Sequence, residues 1–364
     1  MGASDSIHVG PQATHKVYKL FGHDIVLDVP LPTLIFAAFG AAVLLRYVFG
    51  WVKLLAELTI VPGVSLSKFK HKNRNTTYAI VTGCTAGIGL EFARQLAGKG
   101  FGLILVGRRQ SALDELAKEI EAKYKVPTKT VTADAADAAS LHASVARIAA
   151  AASSVDVGVL INNVGASHEM PVAFAETDPA EIDAIVQTNI SWTLQLTRAI
   201  LPQLVARSNK PGAPKSLVLN IGSLSGRIPS ALLAAYSCTK GGLQTWNTAV
   251  ATEVEPQGVY FRMVFPAFVV SNMSKIRRAS ITVPTAKAFV SSTLGSIGLA
   301  RGAQGRPYDS TPYPSHALLD YFVGLFGSTS EAIGVGVILS MHKDIRKRAL
   351  RKKAREAEKI GKQE

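Results

Sequence analysis

Between Tyr78 and Phe265 the sequence carries six short aliphatic or β-branched runs, YAIV, LILV, KTVT, VGVLI, SLVLNI and VYFRMVF, each separated from the next by a helical period. Strands that alternate with helices in this way specify an α/β fold with a parallel, doubly wound sheet, because parallel neighbours must be joined by crossover helices that cover both faces. Two helix starts are legible. Ser111 can cap ALDELAKEIEAKY, and Asp178-Pro179-Ala180-Glu181 places a capping Asp, a Pro at the first helical position and a Glu at the third. No repeat of solenoid length is present.

Ahead of this pattern lies Leu31 to Val52, an apolar run of 22 residues interrupted only by Arg46. As a helix it is about 33 Å long, enough to span a bilayer. Some thirty mixed residues precede it and no small-x-small site follows, so a cleaved signal peptide is disfavoured. Arg46 can snorkel, and Tyr47 and Trp51 suit the interface. The preceding segment is slightly acidic, while Lys68, Lys70, Lys72 and Arg74 follow, so the positive-inside rule puts the large carboxy-terminal part in the cytosol.

The 40 Lys and Arg against 26 Asp and Glu give a net charge of +14, much of it local. Lys343 to Glu364 holds ten basic and four acidic residues, and the remaining core is close to balance. With no zinc-finger, RRM or recognition-helix pattern beside them, these clusters suit an anionic membrane surface rather than nucleic acid. Cys84 and Cys238 are the only cysteines, which excludes a disulfide framework and zinc or thioredoxin-type chemistry; no metal site is expected. Residues 267–315 mix Pro, Gly, Ser and Arg and read as a substrate-covering region. Residues 316–341 are apolar but interrupted by Asp320 and Glu331, and a second crossing there would carry the basic tail to the lumen. A helix packed on the domain or lying in the interface is therefore expected, with Gly334 to Leu339 as a last strand.

The first strand runs into Thr82-Gly83-Cys84-Thr85-Ala86-Gly87-Ile88-Gly89 and then a helix. Glycines at this spacing allow a tight bend and close backbone approach, and the helix that follows points its positive end at a pyrophosphate. The spacing is neither G-x-G-x-x-G nor a Walker loop. Nineteen residues after Gly89, where an NAD-selective fold usually has an acid, stand Arg108 and Arg109. An arginine fork binds a 2′-phosphate that a carboxylate would repel, so the cofactor predicted is NADPH.

Asn162-Asn163-Val164-Gly165 follows VGVLI, Asn189 lies inside a long helix, Ser223 follows SLVLNIG, and Tyr236-Ser-Cys-Thr-Lys240 opens another helix. Tyr236 and Lys240 share a helix face, and an ammonium beside a phenol favours the phenolate. Alone, such a pair is an ordinary helix surface. In this order, behind a glycine turn, the set points to proton transfer beside a dinucleotide.

Through TGCTAGIG, NNVG, Asn189, Ser223 and YSCTK the chain resembles the short-chain dehydrogenase/reductase family over about 75–274. The resemblance implies that Tyr236 donates a proton, Lys240 lowers its pKa and binds the nicotinamide ribose, Ser223 orients a carbonyl, and Asn189 holds a relay water. It also implies cofactor contacts from Gly83, Thr85, Gly87, Ile88, Gly89, Asn163, Gly165 and, past the third strand, the adenine-side Asp134. Val269 and Ser271 belong to Pro266-Ala267-Phe268-Val269-Val270-Ser271, which matches the family's P-G-x-V-x-T segment with Ala267 for Gly and Ser271 for Thr; the first change puts the local backbone path in question.

The membrane run, NNVG in place of NNAG, the Ser-x-Met ending VVSNMS and the basic tail are similar to the microsomal, especially fungal, branch that reduces long-chain 3-oxoacyl-CoA in fatty-acid elongation, and less so to its steroid-dehydrogenase relatives. That likeness implies an endoplasmic reticulum membrane enzyme working beside the other enzymes of the elongation cycle. Another ketone, such as a 17-ketosteroid or 1-acyl dihydroxyacetone phosphate, stays open, as does a scaffold without turnover. The organisation expected is a lumenal segment over 1–30, a transmembrane helix over 31–52, a basic linker over 53–75, an NADPH-binding catalytic domain over 76–315, an apolar segment over 316–341 and a basic tail over 342–364. Lys362, third from the end but preceded by Gly361, gives half of a dilysine signal.

Overall fold

The computed structural model of the chain describes residues 16–20, 23–27, 31–71 and 76–360. Lys72 and Arg74 of the first basic cluster, the Gly361 to Glu364 end with its half-signal, and most of 1–30 lie outside the described residues. Two compact units divide the chain, Met1–Leu55 and Ala56–Glu364. The first contains β1 (Lys16–Leu20) paired antiparallel with β2 (His23–Leu27), and most of α1 (Leu31–Thr59). Helix α1 outruns the expected span because KLLAELT after Val52 contains good helix formers and no Gly or Pro. Its stretch Pro32–Thr59 has 28 residues, and it is the one helix among the described residues long and apolar enough to cross a membrane. Phe36, Phe39, Leu45 and Phe49 are exposed along it.

The second unit alternates strands and helices: β3 (Thr77–Thr82), α2 (Gly87–Gly98), β4 (Gly102–Gly107), α3 (Gln110–Tyr124), β5 (Thr128–Thr132), α4 (Leu141–Ser153) and β6 (Asp156–Asn162). Then come α5 (Pro179–Val186), α6 (Trp192–Ser208), β7 (Ser216–Ile221), α7 (Ala234–Val254), β8 (Val259–Val264), α8 (Ala286–Gly295), β9 (Asp309–Ser310) and α9 (Pro314–Ile360). The strands form one parallel sheet in the order β5-β4-β3-β6-β7-β8-β9. Strands β3, β4 and β7 are buried along their whole length, as central strands covered on both faces must be. One face packs against Phe92 and Leu96 of α2, Leu116 of α3 and Phe289 of α8; the other packs against Ile148 of α4 and Trp192, Leu196 and Ile200 of α6. The order reverses between β3 and β6, which fixes where a ligand crevice opens.

Asp178 caps α5 as read, accepting from the Ala180 amide with Pro179 in the first turn. Ser111 does not cap α3. Arg109 occupies the cap position without a side-chain bond, and the helix has begun by Gln110, so Ser111 sits inside its first turn. The expected strand over Gly334 to Leu339 is helix within α9, and the last strand is the two-residue β9 instead. Residues 316–341 and the basic tail as far as Ile360 are therefore one helix rather than two segments.

That helix is held at both ends of its apolar stretch. Near its start, Ala317 and Tyr321 are buried; farther on, the His342 ring bonds the Ala231 carbonyl, Arg346 donates to the Pro171 carbonyl and Glu176, and Lys353 pairs with Glu169. A second membrane crossing would break these contacts. Residues 63–69 of the expected linker pack within the second unit: Phe69 is fully buried, and the Gly63 and Val64 amides donate to the Gly295 and Ile297 carbonyls.

Candidate active site

Every strand of the large sheet points its carboxyl end to the same side, and the motif residues collect there. Gly83 and Gly87 adopt φ of +64° and +57°, the left-handed region that favours glycine. A Cβ on Gly89 would lie 2.2 Å from the Gly83 carbonyl oxygen, so only glycine lets α2 start against the turn. Helix α2 carries no side-chain cap, which leaves its first amides facing the crevice. These features fit a dinucleotide pyrophosphate. Asn163 braces the turn: its amide group donates to the Thr82 and Gly83 carbonyls, while the Thr82 hydroxyl accepts from the Asn163 and Val164 amides. The Asn163 side chain thus shapes the pocket, and Ile88 packs into the core, which leaves its backbone to face a ligand.

Thr85 lies against the end of β4, near enough that its methyl would be 3.3 Å from a Cβ on Gly107. Arg108 and Arg109 follow that strand and are exposed. Asp134 follows β5, with one carboxylate oxygen accepting from the Ala136 amide. Two arginines and one carboxylate therefore stand where the adenosine end of a dinucleotide would lie, and the cationic side chains are the ones open to an anion.

Across the switch point, α7 brings Tyr236 and Lys240 beside Ser223, which follows β7. Tyr236 lies close to Ser223; burial raises the phenol pKa, and interaction with Ser223 opposes that rise. The Lys240 ammonium lies 5.7 Å from the Tyr236 ring centroid and donates to the Ile221 carbonyl at 2.8 Å. Burial lowers its pKa to about 8, so it is still mainly cationic at neutral pH. Tyr236 is thereby a neutral phenol with a cation beside it, an arrangement that can give up a proton and stabilise the phenolate left behind.

Asn189 lies in a single π-helical turn, Gln187–Ser191, between α5 and α6. Its side chain makes three bonds, accepting from the Ala166 amide and donating to the Ala166 carbonyl and the Thr239 hydroxyl. It ties the loop after β6 to α7. A Cβ on Gly165 would lie 3.3 Å from Asn189 Oδ1 and 3.6 Å from Lys240 Nζ, so these three residues share one wall. Val269 is buried, and Ser271 faces Gly87 across the crevice. Ala267 takes no positive φ, so the missing glycine leaves this segment's path unstrained.

Residues 77–281 match the family model for short chain dehydrogenases. This chain belongs to the short-chain dehydrogenase family. The dehydrogenase is 43% identical over 334 residues to a very-long-chain 3-oxoacyl-CoA reductase of Coprinopsis cinerea, covering 91% of this chain and 95% of that protein. To the reductase of the same name from Scheffersomyces stipitis it is 42% identical, covering 87% and 90%. Among solved structures it is similar to a short-chain dehydrogenase from Sphingobium yanoikuyae in complex with NADPH, with a TM-score of 0.54, 24% identity and coverage of 69% of this chain and 96% of that one. A 7β-hydroxysteroid dehydrogenase aligns with a TM-score of 0.59 at 20% identity, covering 72% and 96%. The last two likenesses speak to fold alone.

Several residues that hold the dehydrogenase's site together carry no signal in the sequence. A Cβ on Gly226 would come within 2.5 Å of the Lys240 backbone, so this glycine seats the loop after Ser223 on α7. Ser237 fastens the same loop, donating to the Ser225 carbonyl and accepting from the Ser230 amide. Gln244, one turn beyond Lys240, donates to Asp309 on β9. His316 accepts from the Ala267 amide and bonds the Thr282 carbonyl, and so joins α9 to both ends of the segment over the crevice. These contacts link residues from seven to 65 positions apart in sequence and have no local motif.

Proposed function

We propose that this dehydrogenase reduces the 3-keto group of long and very-long-chain 3-oxoacyl-CoA to the 3-hydroxyacyl-CoA, with NADPH as reductant, in fatty-acid elongation. The observation that carries the reading is the near full-length likeness to reductases of that name in a chain whose Ser223, Tyr236 and Lys240 are assembled at the crevice. The turn of Gly83, Gly87 and Gly89 with the start of α2 would hold NADPH, which when bound would supply the hydride for C3. Ser223 holds the keto oxygen in the line of the Tyr236 hydroxyl, Tyr236 gives its proton to that oxygen, and Lys240 stabilises the phenolate that results. Asn189 and Gly165 keep the Lys240 wall in place. Purified enzyme should oxidise NADPH faster with a long 3-oxoacyl-CoA than with a 17-ketosteroid or 1-acyl dihydroxyacetone phosphate; the reverse order would assign it to another ketone.

Arg108 in this reading binds the 2′-phosphate. Arg108→Asp should weaken NADPH binding at least tenfold more than NADH binding, a difference of about 1.4 kcal/mol. Equal losses in a fluorescence titration would remove Arg108 from the phosphate and make Arg109 the candidate.

The membrane reading places α1 as a single crossing of the endoplasmic reticulum, the amino end in the lumen and the catalytic unit in the cytosol beside the other elongation enzymes. A long acyl chain partitions into lipid at roughly 0.8 kcal/mol per methylene, so a membrane-held reductase works where its substrate collects. Tags at the two chain ends should differ in protease access in sealed microsomes, the carboxy-terminal one being digested without detergent. Protection of that tag would overturn the single crossing.

A further inference from the structure

At the amino-terminal edge of the large sheet, opposite Tyr236, a groove of about 890 Å³ opens between two segments remote in sequence. One wall is Ser67 to His71, ahead of β3, and the other is the Lys210 to Lys215 loop between α6 and β7; the Lys215 amide donates to the Lys68 carbonyl and joins them. Lys68, Lys70, Lys210 and Lys215 line the groove against a single carboxylate, Asp156. That carboxylate is already matched by Arg207, whose Nε lies 2.8 Å from it with both side chains almost buried. Four lysines therefore line one concavity, and among the described residues that line it the one carboxylate is already matched.

Two of these lysines are held in place by neutral partners. Lys68 donates to the Tyr260 hydroxyl at 2.6 Å and lies over that ring, and Lys70 donates to the Lys99 carbonyl and lies over Phe101. Partial burial lowers the Lys70 pKa, a cost that a bound anion would relieve. Position selects the anion. Ser67 comes eight residues after Thr59, the end of α1, so the chain can carry the groove at most about 28 Å from that end. Ile60 and Val61, between them, are exposed apolar residues of the kind that rest at a membrane surface.

We propose that this groove binds the phosphate-bearing headgroup of an anionic phospholipid, at a site separate from the catalytic crevice. The proposal rests on the reading of α1 as a membrane anchor. The anchor supplies attachment, and the groove supplies selection among lipids, because lysines near an anionic leaflet add attraction that a zwitterionic headgroup does not.

The test uses the full chain in dodecyl maltoside micelles titrated with dioctanoyl phosphatidylinositol 4-phosphate, with dioctanoyl phosphatidylcholine, inorganic phosphate and polyglutamate as parallel arms. The anionic lipid should bind at least tenfold more tightly than phosphatidylcholine. Lys210→Glu with Lys215→Glu should weaken it at least tenfold and Lys210→Ala about fivefold. NADPH affinity and turnover should stay at wild-type values, which shows that the variants are folded. Equal binding of phosphatidylcholine, or unchanged lipid binding in both variants, overturns the site. Inorganic phosphate that displaces the lipid at equal concentration makes it a free-anion site, and tighter binding of polyglutamate makes it a docking surface for an acidic protein; either overturns the lipid assignment. Because the titration is done in detergent, its failure leaves the microsomal tag experiment, and with it the anchor reading, standing.

Discussion

Tyr236→Phe is expected to lower turnover by about 100- to 10,000-fold while NADPH still binds, because it removes one proton donor and keeps the ring. The ring is what packs. Only the hydroxyl meets Ser223, so the variant leaves Gly83, Gly89 and the uncapped start of α2 as they are. The direction of the phenol's pKa matters to the argument. Burial raises it, so Tyr236 carries its proton at neutral pH and is ready to act in the reductive direction without first being charged. Lys240 then matters after the transfer rather than before it, by stabilising the phenolate. Stopped-flow measurement of NADPH oxidation beside a fluorescence titration of NADPH separates chemistry from binding. A Tyr236→Phe enzyme that kept more than a tenth of the wild-type rate would sink the assignment.

The strands and the residues gathered at the crevice are legible in the sequence because both are encoded locally. A buried parallel strand must be a short apolar run, a pyrophosphate turn needs glycine where φ is positive, and Tyr236 and Lys240 lie one helical turn apart. Where local signals conflict, the reading fails. Val335, Val337, Ile338 and Leu339 look like a strand, yet they lie in a helix fixed by His342 and Arg346 against loops from elsewhere in the unit, and tertiary contact overrides β-propensity. Ser111 is a plausible cap by residue type, but α3 starts just after β4 with Arg109 at the cap, two positions too early for it. The bracing residues Gly226, Thr239, Gln244 and His316 are invisible for a different reason: what each does is set by a partner dozens of residues away or by a backbone approach.

The contacts of α9 do more than hold that helix in place. Its far half bonds the loops after β6 and β7, at Pro171, Glu176 and Ala231, on the side where Ser223 and Asn163 stand. Its near half is tied to α7 through a buried polar chain. Asp320 accepts from Arg306 and from the Thr311 hydroxyl, Arg306 also pairs with Asp309, and Asp309 accepts from Gln244. The helix that carries Tyr236 and Lys240 is thus positioned partly by a helix that begins at Pro314, well past the last recognisable motif.

That chain makes Asp320→Ala the second large effect. The Asp320 side chain is fully buried and that of Asp309 nearly so, while Arg306 is only slightly exposed. Removing one partner of a buried ion pair leaves the other charge uncompensated and typically costs about 3–5 kcal/mol. Asp309 offsets only part of the loss, since it takes one bond from Arg306 where Asp320 takes two. Burial already pushes its carboxyl up to about 6, with Arg306 opposing that rise, so it is a weaker anion near neutral pH than an ordinary Asp. The variant should unfold at a midpoint lower on the order of 10 °C in detergent, since about 1 kcal/mol corresponds to a few degrees in a unit of this size. Replacing the network together, Arg306→Met with Asp320→Leu and Asp309→Asn, should recover much of the loss, because no charge is then buried alone. If Asp320→Ala melted within two degrees of wild type, the pair would not be holding α9, and the link from that helix through Asp309 and Gln244 to the turn of Lys240 would have to be abandoned.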